Sequence, residues 1–279
     1  MPLLTVITPV FNNVTYISSA VENYLSQHCA FSELLIMDGG STDGTKEVIA
    51  QYAKGFPSIR WVSEKDKGQS DAMNKGITLA KGKYISFLNV DDYYSEGCLN
   101  EVCQILTKHP DINYLVGDCN VWDQTGNLIY VNRPSKVKKY QVYSGHHFSV
   151  NPSAYFYQKS LHDKVGLYPL ENHYTMDLEM ILRFRGVITF DYYPKVWGNF
   201  RMLPNAKTFE DQASNLSELR KKELITTYLK KQSFVLQIEV SMYRFYHFYQ
   251  PLIKKTINRV VDKIKYEIMC LKILQIDKE

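Results

Sequence analysis

The chain has 279 residues, a hydrophobic fraction of 45%, 22% charged residues and a formal net charge of +4. That length allows one domain with a sizeable appendage and a substantial core, and the ordinary charge balance argues against a nucleic-acid-binding protein. No apolar run is long enough to span a bilayer, and Leu3 to Val10 lacks the basic flank of a secretory leader. The five cysteines are odd in number and form no CxxC pair, so a reduced, cytosolic compartment is expected.

Strand and helix signals alternate through the first third of the chain. Leu3–Val10 reads as a strand, the Asn12-Asn13 turn follows, and Val14–Ser26 carries Val14, Ile17, Val21, Tyr24 and Leu25 at helical spacing. Glu33–Asp38 is a second buried strand, closed by Gly39-Gly40-Ser41-Thr42-Asp43-Gly44, and Thr45–Lys54 is a helix. Ile59–Val62 is a short strand, Gly68–Ala80 a helix, and Tyr84–Leu88 a fourth strand that runs into Asp91-Asp92, ahead of a helix beginning near Ser95. The alternation predicts an α/β fold with a mostly parallel, Rossmann-like sheet and helices on both faces, and ligands then sit at the carboxyl ends of the strands. Pro9, Asp38, the Glu64-Lys65-Asp66 stretch and Asp91-Asp92 all stand at such ends.

The second half reads less regularly. Leu99–Leu106 is a helix, and Tyr114–Trp122 with Asn127–Asn132 forms a hairpin around Asp123-Gln124-Thr125-Gly126. Pro134–Ser149 is polar and basic, a mobile loop by composition. Pro152–Tyr157 is read as a strand, Lys159–Val165 and Met176–Arg185 as helices, and Val187–Tyr192 and Val196–Met202 as two strands. From Phe209 the pattern is helical, broken only at Pro251. Three regions result: a first part (1–110) and a second part (111–208) of one domain, and a helical C-terminal extension (209–279).

A dinucleotide GxGxxG and a Walker GxxxxGK[ST] loop are both missing, so any nucleotide phosphates must be managed by side chains and a metal. Adjacent carboxylates such as Asp91 and Asp92 suit Mg²⁺ or Mn²⁺; the plainer alternative is a turn that caps the next helix. Asp38 has two readings of its own, contact with a base or ribose and capping of the Gly39–Gly44 turn.

The stretches TVITPVFNN, IMDGGSTDGT, SEKDKGQSDAMNKGI and FLNVDDYY resemble, in order, the four sequence blocks of the family 2 glycosyltransferases of GT-A fold. The resemblance covers about the first hundred residues, and implies that 1–208 is a catalytic domain with a nucleotide-binding half (1–110) and an acceptor half (111–208). It implies a nucleotide-sugar donor, most often UDP-linked, a divalent metal (Mn²⁺ or Mg²⁺) at the Asp-Asp motif, and inversion at the anomeric carbon. By position it implies that Pro9 and the first loop, with Phe11, border the base, that Asp38 contacts it, and that Asp66 and Asp71 lie beside the nucleoside. Asp91 would face the ribose or metal, and Asp92 would be the metal ligand. Many members carry Asp where this chain has Gly39 and Asn89.

Inverting transfer needs a carboxylate to take the proton of the attacking hydroxyl. Met176-Asp177-Leu178-Glu179 resembles the family's later acidic motif and puts Asp177 at the base position, with Met176 in place of the preceding acid and Glu179 as second candidate. Helix capping is the alternative role for either. Arg201 and Lys207 fall in a late loop that resembles the one closing over the donor pyrophosphate, where a cation would neutralise the leaving nucleotide. His146, His147 and His173 read as acceptor contacts or surface rather than metal ligands.

Residues 230–279 hold ten Lys and Arg against five acids, a surplus of five that accounts for the chain's net charge. Aromatic and aliphatic residues run between them at helical spacing, a composition suited to a membrane surface or a partner such as a second copy. The leading reading is an inverting, metal-dependent glycosyltransferase acting on a glycan or lipid-linked acceptor in surface polysaccharide synthesis, cytoplasmic and peripheral on the inner face of the membrane. The alternative is a non-catalytic glycan-assembly scaffold with a vestigial pocket, which the intact acidic motifs argue against.

Overall fold

The structure, a computed structural model, describes residues 1–134, 138–145, 151–188, 190–204, 216–251 and 254. Strands β1 (Leu4–Val10), β2 (Ser32–Asp38), β3 (Ile59–Ser63) and β4 (Tyr84–Phe87) are parallel, with α1 (Val14–Ser26), α2 (Thr45–Gly55) and α3 (Gln69–Leu79) between them. Val10 pairs with Asp38 and Asp38 with Ser63, so the loops that follow these strands emerge along one rim. Gly76 lets α3 approach closely: a Cβ there would lie 2.5 Å from Ile7 Cγ2.

Beyond β4 the sheet becomes mixed. It continues through β5 (Tyr93–Tyr94), β6 (Tyr114–Trp122), β7 (Leu128–Asn132), β8 (Tyr155–Gln158) and β9 (Phe190–Arg201), in the spatial order β3-β2-β1-β4-β8-β6-β9-β5, with β7 on β6. Helices α4 (Cys98–Lys108), α5 (Lys139–Tyr143), α6 (Leu161–Val165) and α7 (Met176–Phe184) fill this half, and α8 (Leu216–Lys230) and α9 (residues 234–251) follow it. The α/β class, the sheet with helices on both faces and the helical C-terminal region stand as expected.

Several local readings change. The two late strands are one, β9, with Pro194 inside it. Between the pairs Val116–Tyr192 and Asp118–Val196, β6 advances two residues while β9 advances four, and this irregularity accommodates a residue with no N–H to give the ladder. The 134–149 stretch contains α5, whose Val142 and Tyr143 are buried. Pro152–Ala154 is a 3₁₀ turn. The C-terminal helices break at residues 231–233, where Ser233 Oγ accepts from Leu236 N (3.4 Å) and starts α9 anew; the expected break at Pro251 borders residues outside the described part.

Apolar side chains pack both sheet faces. Leu4, Val6 and Ile36 meet α1, α2 and α4 through Ile17, Ile49 and Val102; Ile7, Leu35 and Phe87 meet α3 and α7 through Met73, Ile77 and Met180. A third cluster joins Leu178, Ile181 and Leu182 of α7 to Tyr143 of α5, Ile225 of α8 and Leu236 and Val240 of α9. The opposite side of α9 leaves Val235, Ile238, Met242, Phe245 and Tyr249 exposed. Among the described residues no helix is long and apolar enough to cross a membrane.

Candidate active site

The loops after β1 and β2 are laced together. Asn12 adopts a left-handed φ of 45°, which Asn tolerates, and its N–H donates to Ser41 Oγ (2.7 Å) while its Oδ1 accepts from Thr42 N (2.8 Å). Asn13 N donates to Thr45 Oγ1 (3.0 Å) and Val14 N to Asp43 Oδ2 (3.0 Å). Pro9 ends inside the buried strand, and Phe11 leaves its ring 61% exposed beside the laced loops. Asp38, 2% exposed, accepts from Gly40 N, Ser41 N (both 3.1 Å to Oδ2) and Ser63 Oγ (2.5 Å). Of its two readings, the turn-holding one describes these contacts. Asp71 accepts from Lys67 N (3.0 Å) and pairs with Lys75 (3.4 Å), closing the start of α3. Asp66 accepts from Gly68 N (2.8 Å) through Oδ1.

The two carboxylates after β4 differ sharply. Asp92 is 1% exposed; its Oδ2 accepts from Asn151 Nδ2 (2.8 Å) and Asn89 Nδ2 (3.0 Å), and its Oδ1 from Arg201 N (3.2 Å). Burial, with the Asp91 charge adding to it, pushes its carboxyl up. Both oxygens of Asp92 are thus engaged by neighbouring groups in the structure. Asp91 is only partly covered, and its carboxylate accepts no hydrogen bond from another described residue. Desolvation raises it, and Arg201 opposes the rise. Arg201 donates through Nε to the Asp91 carbonyl and lies over the rings of Tyr16 (5.3 Å) and Tyr93 (5.8 Å). Asn89, where many family members have Asp, donates to Asp92; an acid there would face it with like charge.

Asp177 opens α7. Ser70 Oγ contacts Met176 Sδ (3.1 Å) and Gln69 Nε2 donates to Asn89 Oδ1 (3.2 Å), so the start of α3 links the start of α7 to the end of β4. Burial lifts the Asp177 carboxyl to about 6 against the opposing hydrogen bond from Tyr155 OH (3.3 Å). Glu179 does something different. It accepts from Arg183 Nη2 (2.6 Å), Tyr228 OH (2.8 Å) and Asn172 Nδ2 (2.8 Å). Burial would raise it, but these bonds hold it below the usual carboxylate range, and they tie α7 to α8.

Lys207, His146 and His147 lie outside the described residues; His173 sits near Gly68, 3.9 Å from where a Cβ would stand there. Among the described residues no group of three or more His, Cys, Asp or Glu is placed to hold a metal ion. What fits a cation is the Asp91 carboxylate, which accepts no hydrogen bond from another described residue, in the manner of Mg²⁺-type ions that take one or two carboxylates and complete their shell with phosphates and water. Asn151 and Tyr155 were not anticipated. Neither carries a local sequence signal: Asn151 acts on an acid 59 positions away and Tyr155 on one 22 positions away.

Residues 5–166 match glycosyl transferase family 2. An uncharacterized glycosyltransferase of Rickettsia prowazekii is 27% identical over 256 residues, covering 86% of this chain and 79% of that protein. The putative teichuronic acid biosynthesis glycosyltransferase TuaG of Bacillus subtilis is 36% identical over 108 residues, 38% of this chain and 43% of the relative, so the chain matches less than half of TuaG. Among solved structures, S. aureus TarS 1-349 in complex with UDP-GlcNAc superposes with a TM-score of 0.69 at 15% identity, covering 90% of this chain and 73% of TarS. A mannosyltransferase from Pyrobaculum calidifontis with GDP-Man and Mn²⁺ gives 0.56 at 15% identity, with 91% and 83% coverage.

Proposed function

The chain belongs to glycosyl transferase family 2, and on that premise we propose that it is an inverting, metal-dependent enzyme that moves a sugar from a nucleotide-sugar donor, UDP-linked, to a glycan or lipid-linked acceptor in surface polysaccharide synthesis. The observation that carries the reading is the contrast of two carboxylates at one end of the sheet: Asp91, which accepts no hydrogen bond from another described residue, and Asp177, which desolvation lifts to about 6. The relatives support it, one named for teichuronic acid biosynthesis and one seen with UDP-GlcNAc.

In this reading Asp91, beside Asp92, would hold Mn²⁺ or Mg²⁺ and so place it at the donor diphosphate. The bound ion would neutralise charge on the leaving nucleoside diphosphate. Asp177 takes the proton of the acceptor hydroxyl as that oxygen bonds to the anomeric carbon; the carbon–phosphate-oxygen bond breaks on the opposite face, and its electron pair leaves with the nucleotide. A carboxyl poised at about 6 is ionised at neutral pH yet still basic enough for this step. Tyr155 orients it. Arg201, fixed on the Asp91 carbonyl and two tyrosine rings, supplies positive charge beside the diphosphate. Pro9 and Phe11 border the base, while Asp38 and Asp71 shape the nucleoside pocket indirectly through the turns they hold.

The exposed stripe of α9 lies against anionic lipid. Lys230 and Lys231 precede it, Lys254 follows it, and Glu239 is the one acid in the sequence between them. Sedimentation with phosphatidylcholine vesicles, with and without anionic lipid, tests this: binding should need the anionic lipid and fall with Phe245→Glu, and a concentration-dependent dimer abolished by the same change would favour a second copy instead. For the catalytic reading, the protein is mixed with Mn²⁺ and a panel of nucleotide sugars. Release of nucleoside diphosphate from one donor is expected, and no release from any donor, with or without glycan acceptors, refutes it.

A further inference from the structure

Two cysteines far apart in the chain meet at the amino ends of the parallel strands, the end of the sheet away from the acids. Cys29 stands three residues ahead of β2, in the connection from α1, whereas Asp38 closes β2 on the rim. His28, at a left-handed φ of 47°, makes the turn after α1. Gln27 ties that turn to α4: its Oε1 accepts from Leu99 N (3.3 Å) and its carbonyl from Asn100 Nδ2 (2.6 Å). The result is a thiol–thiol contact across 74 positions, Cys29 Sγ lying 3.6 Å from Cys103 Sγ of α4. A disulfide holds its sulfurs about 2 Å apart, so the side chains have little distance left to cover. The two thiols are unequal. Cys29 is half-buried at the edge of the core, while Cys103 is 2% exposed. The hydrogen bond Cys29 shares with Cys103, and others from the Phe31 backbone and Ser32, outweigh its burial and hold its thiol down at about 6. Cys98 and Cys119, the other described cysteines, are buried, and desolvation pushes their thiols up.

We infer that Cys29 and Cys103 form a reversible redox pair, in which Cys29 is the thiol that a peroxide oxidises and Cys103 the thiol that resolves it to a disulfide. The Cys29 thiolate attacks one oxygen of hydrogen peroxide and the O–O bond breaks, giving a sulfenic acid and hydroxide. The Cys103 sulfur then attacks the Cys29 sulfur. The S–S bond forms, the S–O bond breaks, and the Cys103 proton leaves with the oxygen as water. Counted together, two thiols and one peroxide become one disulfide and two waters, and the two electrons lost by the sulfurs reduce the peroxide. In a reducing compartment such pairs are transient and sensing rather than permanent. The bond staples α4 to the connection between α1 and β2. Because the carboxylates of the rim stand at the other ends of the strands, oxidation adds rigidity and leaves the chemistry alone. None of this depends on the donor or the acceptor.

The test treats the full chain under native conditions with hydrogen peroxide, then alkylates, digests and maps it by mass. A single disulfide joining the Cys29 and Cys103 peptides is expected, with Cys98 and Cys119 still reduced and dithiothreitol restoring both thiols. Cross-linking positions 74 apart restricts the unfolded chain, so the oxidised protein should melt about 5–10 °C higher until it is reduced. In Cys103→Ser the oxidised Cys29 meets no second thiol; dimedone should trap it as the sulfenic acid, and the melting midpoint should not rise. A wild type whose Cys29 stays reduced, or pairs with another cysteine or with a second copy, overturns the inference. So does a Cys29–Cys103 bond that forms only after the chain is unfolded in urea, since the folded contact would then have no part in it.

Discussion

In the parallel half of the sheet, the residues that shape the rim are fixed by neighbours at modest separation: Asn12 by Ser41 across 29 positions, Asp38 by Ser63 across 25. In the mixed half the separations are far longer. Asp92 is met by Asn151 across 59 positions and by Arg201 across 109, and Met176 meets Ser70 across 106. The first half can thus hold its loop geometry through contacts between consecutive strands, while the second depends on the whole sheet closing before its acids are placed. The nucleotide side is locally built, and the catalytic side is globally built.

The strongest way to break this contrast is at Asp177. Asp177→Asn should lower kcat by roughly 10²–10⁴-fold while UDP affinity stays within error, since the base touches only the reacting hydroxyl. The pH profile sharpens the point. Burial raises this carboxyl to about 6 and the base must be ionised, so kcat/KM should be flat at neutral pH and fall as pH drops through about 6. Tyr155→Phe removes the hydrogen bond that lowers it, and the acid limb should move upward. Next come the paired carboxylates. Asp92→Ala strands the amides of Asn89 and Asn151 and should cost about 1–3 kcal/mol in urea denaturation. Asp91→Ala should leave the melting curve in place and abolish the Mn²⁺ dependence of UDP binding.

Smaller effects test the seams. Glu179→Gln weakens a partly exposed ion pair with Arg183 and should cost about 1 kcal/mol, discounted for solvent screening. Ser41→Ala removes one link between the first two loops and should cost about 1 kcal/mol with little change in turnover, measured by the same denaturation. If Ser41→Ala instead lowered turnover as much as Asp177→Asn, the separation between a local nucleotide side and a global catalytic side would fail.

The sequence made the parallel half legible because its signals are local. Val14–Ser26 is bounded as expected because Asn13 caps it through Tyr16 N and its apolar residues keep helical spacing. The Asp-Asp pair was visible at a strand end, but not which member faces outward, since that depends on Asn151 and Arg201 arriving from far along the chain. The two late strand readings flank Pro194, a residue with no N–H for the ladder, and the register shift opposite Asp118 absorbs it within one strand. The short α5 carries too few residues for periodicity to register, and packing against Leu182 and Ile225 holds it. The two-residue offset of Glu179 from Asp177 says nothing about Tyr228, which reaches it from α8.

That last contact decides where the chain can be divided. The expected boundary at 208 falls within residues 205–215, outside the described part, but α8 and α9 share a core with α7. Glu179 and Arg183 sit on the same face of α7, one turn apart, and both hold Tyr228. Turning α7 about its axis would pull on this three-membered knot before it moved Asp177 appreciably. The C-terminal helices act as a splint for the catalytic helix. A protein truncated at 208 would keep every acid named for the chemistry and lose the brace that sets the angle of one of them.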